Sequence, residues 1–400
     1  MTIKIRKPEL NLREKISELY KPSGVAGEAM LRAETPQEQF NLIGAGRRNL
    51  IINGAMKVAQ RGTTGTLNNQ GGGYHSADRF FSQEEGAFTG AFTVSNDTDS
   101  PKGFSNSTKW DCTTADTSLA AADSIFVDYK LEGQDLQQLN YGTSDALEMT
   151  ASFWIKSNKI GTYVFWLYQY DDSRQVQVQY TINSADTWEY KTLVIPKDST
   201  GVIDNDNGAG LVLRFMMGSG SNYTSGTAPV AWQGLVDANR YVGQTVNLAD
   251  STSNYMNMTG VQLELGKVAT PFEHRSYGEE LALCQRYCHV VGHPSQVTYL
   301  GTGSMYTTTA VNLSVPLPAT MRNSSLSITK VVNSSSVWLN LYVGATGHSS
   351  NTTPQQGDYS NNNVRLYCTG AHSGNSPSAA GAGVWAMVLA GAKIIFSTEL

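Results

Sequence analysis

Residues 147–156 read LEMTASFWIK, and apolar and polar side chains alternate along the whole stretch. Successive side chains of a β-strand point to opposite faces, so the alternation predicts a strand with one buried and one exposed face. The residues predicted to point inward are Leu147, Met149, Ala151, Phe153 and Ile155. Trp154 falls on the polar face instead, two residues before Lys156. A large ring on that face is a candidate binding residue.

The period of two continues beyond this strand. GTYVFWLYQY and RQVQVQYTI are separated by Asp171-Asp172-Ser173, which predicts a β-hairpin. The inward set of its second strand is Val176, Val178, Tyr180 and Ile182. Further alternating runs are TWEYKTLVI, GLVLRFMM and NMTGVQLEL. Many antiparallel strands with one buried face predict a β-sandwich for residues 46–275, and similar short runs predict a second β domain for 294–400.

Three short segments carry helix-start signals, so the fold class is all-β with short helical segments. The signals are Asn11-x-x-Glu14, Thr35-Pro36-x-Glu38 and Ser276-x-x-Glu279. The first helix places Leu12, Ile16 and Leu19 on one face. Residues 1–45 are basic and too short for a core of their own, so we expect them to dock on an acidic partner or, alternatively, on the body of the chain.

The third helix is predicted to join the two β domains over residues 276–293. Its apolar stripe is Leu281, Cys284 and Cys288. Two histidines, His289 and His293, follow the cysteines, but on one helix they point away from that stripe, so the four side chains cannot surround a single zinc ion. The segment is therefore predicted to be a joint, with the cysteines acting as small apolar residues.

Composition disfavours several functions. Charged residues make up 16% of the chain, the net charge is −5, and no long basic run is present, which disfavours nucleic-acid binding. No stretch approaches the length of a membrane span, and the charged N-terminus does not resemble a signal peptide, so we expect no membrane insertion and synthesis in a cytoplasm. The four cysteines are expected to be reduced thiols.

Catalytic patterns are not apparent, and we expect no enzyme activity and no cofactor. VIDNDNGAG contains Asp204, Asp206 and Asn207 at a spacing similar to a calcium loop, but the distal glutamate of such loops is missing. A plain turn is the expected structure of this stretch, and a structural calcium site is the alternative.

Aromatic residues are the main candidates for binding. Trp154, Trp188 and Tyr190 are predicted on polar strand faces, where sugar rings could stack on them and bond to nearby polar groups. The alternative is that the other sheet or another chain covers these rings. In the second domain the candidates are Tyr359, Trp338 and Trp385, and core packing is the alternative for the two tryptophans.

Several stretches together resemble a known family. They are GRRNLIINGAMKVAQRG, SADRF, SFWIKSNKIGTY, TWEYKTLVIP, GVQLELGKVATPFEHRSYGEELALCQRYC, LPATMRN and FSTEL. They are similar to bacteriophage virion proteins called tail-fibre or receptor-binding-like proteins, which contain a jelly-roll domain similar to carbohydrate-binding modules. The resemblance runs from Arg47 to Leu400, and the N-terminal arm is similar to those of marine phage and cyanophage fibres.

This resemblance implies a homotrimeric fibre of the virion that binds host-surface glycans. Residues 1–45 would form an anchor arm on tail or capsid proteins, 46–275 a jelly-roll β-sandwich, and 294–400 a β-sandwich tip. The helix at 276–293 would lie near the trimer axis, with Leu281, Cys284 and Cys288 between chains. Two alternatives stay open, a fibre that degrades polysaccharide and a capsid decoration or adaptor protein without a receptor role.

Overall fold

The computed structural model describes residue 32 and residues 48–68, 71–307, 310–343, 346–350, 353–369 and 383–400. Within these residues the chain is mostly β-strand and forms two β-sandwiches, as predicted. The predicted anchor residues Leu12, Ile16 and Leu19 lie outside the described residues. Among the helices of the described part, none is long and apolar enough to cross a membrane.

The first sandwich contains twelve strands in two six-stranded antiparallel sheets. The strands are β1 (Thr64–Asn68), β2 (Phe81–Glu85), β3 (Ala91–Asp97), β4 (Ser107–Thr114), β5 (Ser124–Glu132), β6 (Met149–Ser157), β7 (Gly161–Gln169), β8 (Arg174–Ile182), β9 (Glu189–Ile195), β10 (Ala209–Ser219), β11 (Gln233–Gly234) and β12 (Tyr255–Leu265). Sheet 1 has the order β1-β3-β4-β12-β6-β9, and sheet 2 has the order β11-β8-β7-β10-β5-β2. The chain crosses repeatedly between the sheets, as in a jelly roll.

Strand β6 shows why the two sheets pack together. Met149, Ala151, Phe153 and Ile155 are buried as predicted, whereas Leu147 precedes the strand and is 37% exposed. The Phe153 ring contacts the rings of Phe165 and Phe215 on sheet 2, with centroids 6.3 and 5.1 Å apart. Burying such a side chain stabilises the fold by roughly 1.5–3 kcal/mol, so the inner face holds the sandwich together.

The predicted hairpin is confirmed. Strand β7 pairs with β8 from Gly161 opposite Ile182 to Gln169 opposite Arg174. Ser173, in the turn, has a φ of 48°, the left-handed conformation that a tight connection requires. The inward set of Val176, Val178, Tyr180 and Ile182 packs in or against the core.

The outer face of sheet 2 is covered by the chain between β10 and β12. Tyr223, Leu235 and Tyr241 from this segment pack on a second apolar cluster that includes Trp166. Beneath it the Arg214 guanidinium donates two 2.8 Å hydrogen bonds to the Asp128 carboxylate and one of 2.6 Å to the Tyr241 hydroxyl. The Arg214–Asp128 ion pair is thus buried beneath the apolar side chains of this segment.

The interdomain helix is shorter than predicted. Helix α1 spans Tyr277–Gln285, and Ser276 caps it as expected, its hydroxyl accepting a 3.3 Å bond from the Glu279 N–H. The chain then becomes strand β13 (Cys288–Gly292) instead of continuing as helix to residue 293. Val290 and Val291 explain the change, because β-branched residues favour a strand and here pair with the last strand of the tip.

The apolar stripe of α1 already has a partner within the chain. Cys284 and Cys288 are fully buried in a single chain. Cys284 packs with Ile52, Val58 and Tyr287, and Leu281 lies partly buried against the same cluster. The prediction that these residues are buried between chains is therefore corrected for the two cysteines, because the start of the first sandwich of the same chain already covers them. Of the three residues, Leu281 keeps part of its surface free.

The second sandwich forms the tip. Its further strands are β14 (Thr298–Met305), β15 (Ala310–Pro316), β16 (Ser327–Val331), β17 (Leu339–Val343), β18 (Thr346–Ser350), β19 (Thr353–Ser360), β20 (Asn363–Thr369), β21 (Gly383–Val388) and β22 (Lys393–Ser397). A three-stranded sheet, β13-β22-β16, faces a seven-stranded sheet, β18-β17-β21-β14-β15-β20-β19. Trp338 lies fully buried in the core between them.

A polar network fastens the tip to the first sandwich. Glu399 accepts a 3.0 Å bond from Arg61 and a shorter one from Arg79. Arg79 is 2% exposed, and its guanidinium lies 3.4 Å from the centre of the Tyr287 ring. The Glu132 carboxylate receives two 2.7 Å bonds from Arg286. Side chains from both sandwiches thus hold the segment from β12 to β13.

Candidate functional site

Two of the predicted aromatic residues, Trp154 and Tyr190, meet on the outer face of sheet 1, and Trp188 lies directly before β9 at the same edge. Trp154 lies directly opposite Tyr190 in the β6–β9 register, and the two ring centroids are 5.2 Å apart. Trp188 precedes Tyr190 by two residues. Tyr190 is 44% exposed, and neither tryptophan is fully buried. We call these three residues the aromatic platform; the other sheet does not cover it.

Asp99, in the loop between β3 and β4, bonds to side chains of the platform edge. Its carboxylate accepts a 3.0 Å bond from the Trp188 indole N–H and a 2.7 Å bond from the Lys156 ammonium. These two bonds lower the pKa of Asp99, because both favour its charged form. Since Lys156 lies on the same face of β6 as Trp154, the bonds fix the position of Trp188 relative to Trp154.

Gly260 has no side chain, and this leaves room for the Trp154 indole to lie close to the sheet. It occupies an irregularity in the pairing of β12 with β6 and has a φ of 65°. A Cβ atom there would lie 2.7 Å from the Phe104 ring and 3.2 Å from the Trp154 indole. Any larger residue would therefore strain the backbone and push against the platform.

Polar groups also lie on the outer face of sheet 1 between the platform and β4. The Tyr255 hydroxyl donates a 2.6 Å bond to Asp186, and the Lys109 ammonium lies 5.1 Å from the centre of the Tyr255 ring. Burial and the bond to Asp186 raise the pKa of Tyr255, so its hydroxyl stays protonated at neutral pH. The Lys109 ammonium also lies 3.0 Å from Asp111. The platform is thus bordered by donors and acceptors of hydrogen bonds.

Glu189 holds the turn that presents Trp188. Its carboxylate accepts 2.8 Å bonds from the backbone N–H groups of Asn183 and Ser184 and a bond from Lys191. Burial would raise the pKa of Glu189, but these bonds outweigh burial and lower it to about 2. The turn between β8 and β9 is therefore tied down by a charged carboxylate.

This arrangement predicts a loss of stability in acid. The carboxylate is favoured by folding, so its stabilisation is complete above pH 4.5, the ordinary pKa, and is lost as the pH falls toward 2. We expect Glu189→Gln to lower the free energy of unfolding by about 1 kcal/mol at pH 7 and to flatten its decline between pH 4.5 and 2. Urea unfolding at several pH values measures both, with exposed Glu279→Gln as control. An unchanged acid decline in Glu189→Gln would contradict the assignment.

The other predicted contacts have different positions. Trp338 is fully buried in the tip core, which corrects its assignment as a surface contact, because both tip sheets enclose it. Trp385 is 39% exposed on the seven-stranded sheet. The side chain of Tyr359 lies outside the described part of the structure. Of the tip candidates, Trp385 is thus the one shown at the surface.

Sequence reasoning missed Asp99, Lys156 and Tyr255 at this site. Lys156 could have been found, because it lies two residues from Trp154 on the same strand face. Asp99 is 89 residues from Trp188, and no local pattern indicates that the two meet. The turn with the calcium-like spacing instead contacts the tip, since Asn207 donates a 2.8 Å bond to the Arg322 carbonyl. Among the described residues, no group of three or more His, Cys, Asp or Glu side chains is arranged to hold a metal ion.

Comparisons with known proteins gave only distant structural likenesses. No family model matches the chain. No curated protein matches it either. Among solved structures, it is similar to the enzymatically active domain of bacteriophage CBA120 tailspike protein 4, with a TM-score of 0.29 and 11% identity, over 54% of this chain and 21% of that one.

Two carbohydrate-binding modules are similar to the chain at the same level. The family 11 module of a Clostridium thermocellum cellulase has a TM-score of 0.26 and 11% identity, over 49% of this chain and 91% of that one. A tandem CBM22 domain from Paenibacillus barcinonensis has a TM-score of 0.25 and 10% identity, over 89% and 99%.

Proposed function

We propose that this chain is an adhesion protein that binds host-surface glycans through the aromatic platform of sheet 1. The observation that carries the proposal is the grouping of Trp154, Trp188 and Tyr190 on one outer face, bordered by polar groups. Sugar rings expose an apolar face and a rim of hydroxyls, so they fit an open ring surface with hydrogen-bonding groups beside it.

The platform suits binding rather than cleavage. A glycosidase needs a carboxylic acid with a raised pKa to protonate the leaving oxygen. Asp99, the carboxyl that contacts Trp188, has its pKa lowered by Lys156 and Trp188, which makes it a poor proton donor. We therefore propose that the bound glycan is left intact, and a reducing-end assay with host polysaccharide would detect cleavage.

The setting we propose is a homotrimeric phage fibre, located in the virion and attached to tail or capsid proteins by residues 1–45. Its support is the sequence resemblance described above. The fastened joint is consistent with it, because a rigid connection keeps both sandwiches in one orientation along a fibre. Three copies of a weak glycan site would add avidity without a deep pocket in any chain.

Alanine substitution at the platform tests the proposal. We expect Trp154→Ala and Trp188→Ala each to weaken binding to host cells or purified host glycan by about tenfold or more, because each removes a stacking surface. Calorimetric titration of the full chain measures this. Tyr277→Ala is the matched control, since Tyr277 is 57% exposed on α1 and far from the platform in sequence. Equal binding by all three variants would refute glycan binding at this face.

A further inference from the structure

The seven-stranded sheet of the tip carries a second arrangement of rings and polar groups on its outer face. Val384 and Ala386 of β21 point into the core, so Gly383 and Trp385 point outward. The strand register places Trp385 between Tyr342 of β17 and Thr302 of β14. The pairing of β14 with β15 and of β15 with β20 places outward-facing residues of these strands in line with them.

One wall of this arrangement is a stacked pair. The rings of Tyr342 and Trp385 have centroids 4.1 Å apart and planes inclined by 12°. Adjacent strands lie about 4.8 Å apart, so rings that face each other across two strands must stand upright on the sheet. Tyr342 covers one face of the indole. The other face looks toward β14, and Trp385 is 39% exposed.

Small polar residues form the floor beside that free face. They are Thr302 and Ser304 on β14 and Asn312 and Ser314 on β15, which lie opposite one another in the register. Gly383, opposite Ser304, leaves a gap, because a Cβ there would meet no atom within 4 Å. The Asn312 Oδ1 atom at this floor is buried and has no hydrogen-bond partner among the described residues, so it is an acceptor left to be satisfied.

Tyrosines form the opposite wall. Tyr367 on β20 lies opposite Asn312, and its ring meets that of Tyr306 edge to face at 5.9 Å. From β21 to β20 is three strand spacings, or about 14 Å. We call the space between the walls, with Thr302, Ser304, Asn312, Ser314 and Gly383 as its floor, the tip groove. It is wide enough for a short oligosaccharide.

The floor of the tip groove is uncharged. Residues 294–400 contain six charged side chains, Arg322, Lys330, Asp358, Arg365, Lys393 and Glu399. Arg322, Lys393 and Glu399 make contacts at the joint. Arg365 of β20 lies opposite the floor residue Ser314 in the register, and its Nε lies 3.0 Å from the Cβ position of Gly357 on β19, on the side away from the floor. None of the five floor residues is charged, which favours a neutral ligand.

We propose that the tip groove is a second saccharide site, one that takes a neutral oligosaccharide. A sugar ring would stack on the free face of Trp385, with its hydroxyls bonded to Thr302, Ser304 and Asn312. A second copy of the chain fits the floor less well, because protein interfaces are apolar at their centre and this floor is hydroxyls and an amide. The site is separate from the aromatic platform and gives each chain two saccharide sites.

The test uses the full-length Trp154→Ala/Trp188→Ala chain, in which the platform is removed and residual binding reports the groove. The probes are neutral glucan, mannan and galactan oligosaccharides and their uronic-acid counterparts, titrated by calorimetry. We expect a neutral oligosaccharide to bind, and adding Trp385→Ala or the groove-filling Gly383→Val to weaken it by about tenfold or more. Tyr299→Ala, which removes an exposed ring of the same sheet outside the groove, should change binding by less than about twofold.

Each contrary result overturns a defined part of the proposal. If no probe binds the platform-free chain, or if Trp385→Ala and Gly383→Val leave binding unchanged, the groove is not a saccharide site. Binding of uronic-acid probes alone would overturn the neutral ligand. A fall in mass of Trp385→Ala by light scattering would make the face an interface between copies. If the platform is not a saccharide site but the tip groove is, Trp154→Ala and Trp188→Ala will bind as strongly as the unchanged chain. Adding Trp385→Ala will then abolish that binding.

Discussion

Replacing Arg79 with alanine is expected to lower the free energy of unfolding by about 3–5 kcal/mol and to loosen the tip from the first sandwich. Arg79 is fully enclosed at the joint, where it pairs with Glu399, lies over the Tyr287 ring and donates a 2.7 Å bond to the Lys130 carbonyl. Removing it takes the side-chain donor from the Lys130 carbonyl and from one oxygen of the Glu399 carboxylate, whose other oxygen keeps its bond from Arg61. Differential scanning calorimetry and small-angle scattering together measure the stability and the domain orientation.

Arg61→Ala is the matched control for this prediction. Arg61 also pairs with Glu399, but its side chain is 14% exposed and water can replace part of what is lost. We expect this variant to cost about 1 kcal/mol and to leave the scattering profile unchanged. If Arg79→Ala costs no more than Arg61→Ala, the joint is held by the apolar cluster around Cys284 and not by the buried network.

A comparable loss is expected at the sealed pair of sheet 2. Asp128→Ala would leave the Arg214 guanidinium buried and unpaired against the Phe126 ring, 3.3 Å away, so we expect a cost of about 3–5 kcal/mol. Hydrogen exchange should also rise in the covering segment, because Tyr241 shares the same guanidinium. Urea unfolding with exchange measured by mass spectrometry follows both effects.

The double variant Asp128→Leu/Arg214→Met distinguishes the effect of an unpaired buried charge from the effect of losing the bond to Tyr241. Two apolar side chains of similar volume remove both buried charges, and such replacements are often neutral or stabilising. We expect the double variant to regain most of the stability that Asp128→Ala loses. A double variant as unstable as the single one would show that the covering segment depends on the Arg214 bond to Tyr241 rather than on balanced charge.

Local sequence determined the strands and their faces. Met149, Ala151, Phe153 and Ile155 alternate with polar residues, and a strand exposes alternate side chains to opposite sides, so neighbours along the chain suffice to predict burial. The same holds for the Ser276 cap, whose hydroxyl meets an N–H only three residues away. Even the grouping of Trp188 with Tyr190 follows from a spacing of two.

Tertiary structure alone decided which surfaces meet. The bond from Trp188 to Asp99 joins residues 89 apart, and that from Arg79 to Glu399 joins residues 320 apart. The sequence predicted that the stripe on α1 is buried between chains, yet Ile52 and Val58 of the same chain cover its Cys284. The periodicity of the sequence indicates which side chains are apolar and buried. The residues they pack against depend on how all the strands assemble. The platform rings were therefore predictable one by one, whereas their polar border and the contacts that hold the joint were not.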